Sequence, residues 1–389
     1  MSNRKRLRPY TRDLIAQAGL SLVELMIAMT LALAIVGVVT YVYLQGKQGF
    51  SVQDNRSLLQ ENSRLAVSLI SRDIEMGGYF GCVKPVVDTN TDPPLSTIRI
   101  TAAQPLMQAD IGWLELDNDQ LTGTRFLNPA MTIRGYDDGV GWPVGTGVSS
   151  KRFSGTDTLI ILRGGDDARH LVSSSTESEF TITSPLPGAK SVNSTPPMVI
   201  SDCTRGEIIK PTVKAGAVTF SVANTLNQNA AITDPIKDIL RYAPYPSASM
   251  VTTFEPVSYY VARAKGKNGT LVPSLHRLVT QTDSPVPANV GLWKASGDVI
   301  VEGVERFQVR YFAQGASEGT STGPLTAAEV SAANKWLLIT AVEVNLTLVS
   351  DDDGIRTDST TQTVGGTSVT DKKIRLVTSF SVGVRNPKA

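Results

Sequence analysis

Glu24 is the residue that most needs a chemical reason to be where it is. It stands in the run Leu20-Ser-Leu-Val-Glu24, inside a stretch that holds no other strongly polar side chain as far as Leu44. A carboxylate in hydrocarbon costs roughly 2.5–3.5 kcal/mol on insertion scales and by default marks a functional residue. Two uses are open to it: reaching back to the headgroups, or pairing with a cation supplied from outside the segment. Three other constellations invite a chemical reading. Gly315-Ala-Ser-Glu-Gly319 has the spacing of a nucleophile elbow around Ser317, but that chemistry needs a strand turning sharply into a helix. Here Thr320-Ser-Thr-Gly-Pro324 follows, and a surface hairpin loop is expected. Asp351-Asp352-Asp353-Gly354 offers oxygen ligands for calcium but lacks the alternating spacing and terminal Glu of a calcium loop. A solvated turn between two strands is the expectation. Gly164-Gly-Asp-Asp-Ala-Arg-His170 has no second histidine near it, the other one in the chain being His276. No catalytic residue, metal or cofactor is therefore expected, and the chain does not read as an enzyme.

The element that must hold Glu24 is a long apolar helix. At a rise of about 1.5 Å per residue, roughly 20 residues cross a bilayer core, and residues 20–44 suffice. Arg4, Lys5, Arg6, Arg8 and Arg12 against Asp13 give the first nineteen residues a charge of +4, leaving −3 for the rest of a chain whose total is +1. The positive flank puts the N-terminus in the cytoplasm and everything beyond about residue 45 outside the inner membrane. A cleaved secretory signal fits poorly, since the apolar core is too long and no small-x-small site follows Leu44. With no basic stripe outside the N-terminus, a nucleic-acid partner is not expected. Cys82 and Cys203 both fall on the exported side. In an oxidising compartment an even count favours a disulfide; two buried free thiols are the alternative.

The rest of the chain reads as α+β. Apolar residues recur at helical steps from Val52 through Leu59, Ala66, Leu69, Ile70 and Ile74, with Asp54, Arg56, Glu61, Arg64, Arg72 and Asp73 on the intervening face. Gly77-Gly78 should stop this helix, and Gly46 and Gly49 weaken it enough to predict a bend or melted turn. The division expected is a leader at 1–19, a membrane helix at 20–44, an amphipathic continuation at 45–78 and a β-rich body at 79–389. Predicted strands cover 97–101, 111–116, 156–162, 180–183, 198–201, 218–222 and 257–263, with longer ones at 299–312, 337–349 and 373–385. Loops are expected at 88–96, 137–150, 184–197 and 315–324, where Pro, Gly, Ser and Thr concentrate. Thr326 and Glu329 form a capping-box pair that predicts a helix over 327–336.

Gly19-Leu-Ser-Leu-Val-Glu24 followed by an apolar helix resembles a type IV prepilin signal. The resemblance implies cleavage after Gly19 by prepilin peptidase, N-methylation of Leu20 as the new N-terminus, and retention of Glu24 as the glutamate that guides assembly. Its partner in that family is the N-terminal amine of an adjacent subunit, so Glu24 would set axial register as a single polar residue does in a coiled coil. Major pilins usually begin with Phe, and the Leu here points to a minor pilin. Arg72-Asp-Ile-Glu-Met-Gly-Gly-Tyr-Phe-Gly-Cys82, Ser201-Asp-Cys203, Val301-Glu-Gly-Val-Glu-Arg-Phe-Gln-Val-Arg-Tyr311 and Ser379-Phe-Ser-Val-Gly-Val-Arg-Asn386 are similar to the PilW group of minor pilins. That likeness implies a pilin fold and an inner-membrane start with transfer to the pilus tip. It also implies roles in adhesion and twitching motility. The partners it implies are other minor pilins, the major pilin, a PilY-type tip adhesin, prepilin peptidase and the inner-membrane assembly machinery. Three alternatives stand beside it: a J-type pseudopilin of type II secretion, a signal-anchored periplasmic enzyme using Ser317, and an adhesin acting through insertions such as 137–150.

Overall fold

The computed structural model describes residues 21–84, 87–88, 95–100, 117–118, 125–126, 132–142, 152–186, 195–216, 218–222, 244–266, 269–279, 297–315, 321–351, 355, 358–364 and 367–385. These form an α+β protein with one long apolar N-terminal helix and a mostly antiparallel β body. Two compact units divide the chain, Met1–Asp54 and Asn55–Ala389.

Helix α1 runs Leu22–Glu75 and is long and apolar enough in its first part to cross a membrane. Ser21 begins it: its hydroxyl accepts from the Glu24 N–H at 3.2 Å, and its carbonyl accepts from Leu25 at 3.1 Å. Two hydroxyls in the apolar stretch return to the helix's own carbonyls, Thr30 to Ile27 at 2.9 Å and Thr40 to Val36 at 2.8 Å. That is how they avoid an unsatisfied donor without water. The predicted bend does not occur as a break. The helix is continuous through Gly46 and Gly49, because a glycine costs only about 1 kcal/mol while removing no backbone hydrogen bond. The stop falls where expected, with the helix ending at Glu75 and Gly78 taking a φ of +75°.

In the second unit the larger sheet has eleven described strands, built around Met250–Lys265. That strand pairs antiparallel with Thr158–Gly164, Leu271–Val279 and, nearer its start, Met198–Ser201. Among the described residues one parallel pair occurs, between Gly206–Ile209 and Ile98–Ile100. Phe254, Tyr259, Leu275 and Leu278 are sealed from solvent on this sheet. A separate four-stranded antiparallel sheet runs in the order Ser321–Leu325, Val304–Gln314, Ile339–Val349, Arg375–Gly383. The alternation read in Ile339–Val349 appears directly, with Val342, Val344, Leu346 and Leu348 buried and Glu343, Asn345 and Thr347 half-exposed between them.

Several expectations changed in detail. The strand predicted at 299–312 is two, Asp298–Glu302 and Val304–Gln314, parted at Gly303 with φ +73°. The 315–324 loop gives way at Ser321 to a strand through Leu325, which tolerates Pro324 because it lies on a sheet edge. Helix α2 (Ala327–Ala332) carries the full Thr326/Glu329 capping box but ends early, with Asn334 in the left-handed region at φ +51°. Between the paired strands 339–349 and 375–383 lies a further hairpin, Thr360–Val364 with Thr367–Asp371, rather than a simple acidic turn. The strand expected at 111–116 and most of the loops expected at 88–96, 137–150 and 184–197 lie outside the described residues.

Candidate functional site

Glu24 sits in the first turn of α1, and the side chains around it are exposed. The helix N-terminus is the positive end of the macrodipole, so a carboxylate there complements it. Ser21 and Glu24 also stand at the spacing of a capping box, a helix-starting signal at the head of the apolar run. Gly19 and Leu20, the residues expected to flank a cleavage site, lie outside the described residues.

Further along, α1 enters the second unit by a buried stripe of Leu59, Ser63, Ala66, Ile70, Asp73 and Ile74. Asp73 is the correction here. It was expected on the polar face, yet only 3% of it is exposed. Its Oδ2 accepts from the Tyr259 hydroxyl at 2.6 Å and from Arg277 Nε at 2.7 Å, and its Oδ1 accepts from Arg277 Nη2 at 3.2 Å. Arg163 Nε stands 3.4 Å from Oδ1, while its other nitrogens reach Glu255 at 3.0 Å and Asp166 at 3.2 Å. Asp166 in turn pairs with Arg72 on the helix. Strand residues of the larger sheet, with Asp166 in the turn after Thr158–Gly164, thus grip two successive helix residues through a connected ionic network. Burial, and then the Asp73 charge, push the Tyr259 hydroxyl well above its ordinary pKa, so it stays a donor. Burial acts against the charge on Arg277, but the hydrogen bond and charge of Asp73 outweigh it and hold the guanidinium above its usual value. On the other sheet, Ser63 Oγ meets Thr378 Oγ1 at 2.7 Å and Arg385 donates to Glu75 at 2.7 Å. The helix is therefore tied to both sheets.

Cys82 and Cys203 are joined as a disulfide. It fastens the segment after the helix to the turn between Met198–Ser201 and Gly206–Ile209, where Cys203 takes φ +71° and Asp202 Oδ1 caps the Thr204 and Arg205 N–H groups. The other constellations are not brought together. Ser317 lies outside the described residues, and the strands on either side of it pair with each other, which is hairpin geometry. Asp166 and Asp167 are engaged with Arg163 and Thr253, and His170 Nδ1 lies 3.0 Å from the Ala248 carbonyl. Asp352–Gly354 are outside the described residues. Among the described residues no three His, Cys, Asp or Glu side chains are grouped to hold a metal.

The network's partners were not legible in advance, because positions 163, 259 and 277 are remote from 73 in sequence. The helical stripe was the available signal: 59, 63, 66, 70 and 73 share one face. Comparison with known proteins bears on the receiving side of this arrangement. No curated protein and no solved structure matches the chain. Residues 258–386 match the PilW family model, described as type IV pilus-assembly protein W; they span the four-stranded sheet and the strand residues Tyr259 and Arg277 that hold Asp73.

Proposed function

We propose that the chain is a minor pilin that helps prime type IV pilus assembly, working with other minor pilins in a complex at the pilus tip. The observation that carries this reading is the match of residues 258–386 to the pilus-assembly family, which supports a place in type IV pilus assembly. The apolar start of α1 and its anchorage on the body are consistent with it, since a subunit drawn from a membrane into a filament needs a helix fixed to its globular part. On this reading residues 1–19 are a cytoplasmic leader removed after Gly19, and Leu20 is methylated. Residues 20–44 are the membrane and assembly helix, 45–78 its continuation, and 79–389 a periplasmic body. Glu24 pairs with the terminal amine of a neighbouring subunit. The major pilin, a PilY-type adhesin and the inner-membrane machinery are the further partners.

The test is mass spectrometry of the N-terminal peptide from membrane-extracted protein, with and without functional prepilin peptidase. A chain beginning at methylated Leu20, seen only with the peptidase, is expected. A start at Met1 or Ser2 in both strains would leave a plain membrane anchor and overturn the pilin reading.

A further inference from the structure

The four-stranded sheet ends in two edges that differ in kind. Arg375–Gly383 pairs with Ile339–Val349 in an unbroken antiparallel register, and no described strand lies on its other side. The Val384 N–H bonds the Thr340 carbonyl at 2.9 Å, and the Ile374 carbonyl accepts from Ser350 at 2.9 Å. Backbone groups alternate in direction along a strand, so the even-numbered residues bond inward and Arg375, Val377, Ser379, Ser381 and Gly383 direct theirs outward. Among the described residues that edge is open: Val377 is 70% exposed, Ser379 and Ser381 are exposed, and nothing lies within 4 Å of a Cβ built at Gly383.

Soluble proteins protect such edges with charge, proline or a bulge. From Leu376 to Gly383 there is no charged residue and no proline. The flanking arginines are turned onto the protein's own carboxylates, Arg375 onto Glu305 and Asp371, and Arg385 onto Glu75. The opposite edge, Ser321–Leu325, carries Pro324 and a register irregularity, the usual protections.

We infer that the outer edge of Arg375–Gly383 is a strand-addition site for an extended segment of a different assembly subunit. This rests on the pilus reading above and names the surface by which the chain would meet a neighbour. Backbone pairing supplies the bonds and the side chains supply the selection. The incoming strand needs at least five residues, no proline at its bonding positions, and apolar side chains at alternate positions to cover half-buried Leu376 and Phe380. Small or polar residues between them suit Val377, Ser379 and Ser381. A second copy does not fit. Head-to-tail pairing that continues this sheet would use the protected 321–325 edge. Two-fold pairing of the open edges would reverse one helix against the other, because the 63–75 stretch and the strand run the same way, from Ser63 at Thr378 to Glu75 at Arg385. Subunits inserted in one orientation from one membrane do not oppose in that way.

The experiment is photo-crosslinking of the full-length chain in its own cells, with Val377→p-benzoylphenylalanine or Ser381→p-benzoylphenylalanine. An adduct with an extended segment of a second, processed pilin-like chain is expected. Ser379→Pro removes one outward N–H and spares the inward ladder, so the yield from position 377 should fall about tenfold with protease resistance of the body unchanged. Ser381→Lys, an exposed change that leaves the backbone intact, should lower the yield likewise. Adducts to a second copy alone, no adduct from a chain correctly processed at Leu20, or yields indifferent to Ser381→Lys would each overturn the inference. A chain never processed despite active peptidase would instead overturn the pilin reading itself.

Discussion

At Asp73 a carboxylate buried to 3% exposure balances two guanidinium groups and a tyrosine hydroxyl drawn from strands nearly a hundred to two hundred residues away. Removing one member of such a group leaves its partners' charge buried and uncompensated, which costs more than the pair itself contributes. Asp73→Ala should therefore destabilise the body by about 3–5 kcal/mol, read as a shift in the denaturant midpoint at unchanged slope. A loss below about 1 kcal/mol, the range of an exposed ion pair, would mean that Arg277 and Arg163 find water or other carboxylates instead. Glu24 and Asp73 mark the limits of what a sequence discloses at this scale. Glu24 stood out because its neighbours along the chain are apolar, a purely local anomaly. Asp73 lay among Arg72 and Glu75 and looked like one more charge on a wet face, since its meaning depends on residues the chain returns only after folding.

Among the elements, Gly303 does a job no other residue can do without strain. Its φ of +73° turns the chain between Asp298–Glu302, which belongs to the larger sheet, and Val304–Gln314, which belongs to the smaller one. A Cβ there would stand 2.3 Å from the Val349 carbonyl oxygen, itself the end of a central strand. Gly303→Ala should cost roughly 1–3 kcal/mol from backbone conformation, with the clash added, measurable as a lowered thermal midpoint. An unchanged midpoint would show that the junction can re-form elsewhere. Alternating residues made Ile339–Val349 readable, a short apolar run made Met198–Ser201 readable, and Thr326 with Glu329 made the start of α2 readable. Prolines hid extents: Pro256 lies within Met250–Lys265 and Pro273 within Leu271–Val279, so the first was read too short and the second not at all. The change of sheet at Gly303 interrupts the alternation, with Val301, Val304 and Phe307 three apart before it resumes at Val309 and Tyr311. A broken period does not say that the chain passes to another sheet.

For the molecule as a whole, the α+β class, the single long helix and its end followed from composition and period, whereas the order of strands did not, being set by contacts between distant segments. The Cys82–Cys203 bond is one such contact, joining positions 121 apart. Cys203→Ser should destabilise the body by about 2–5 kcal/mol, and a reductant should produce a similar loss in the parent protein but none in the variant; equal sensitivity of both would argue against the bond. The same covalent shortcut has a mechanical meaning. A pull applied at the end of α1 and resisted at the C-terminal strand passes from Cys82 straight to Cys203 and never loads the chain between them. Should the body yield under tension, those 121 steps of chain, about 400 Å when fully extended, stay out of the stretched length. Reduction would release them as extra extension, so the oxidised protein behaves under load as a shorter tether than its residue count implies.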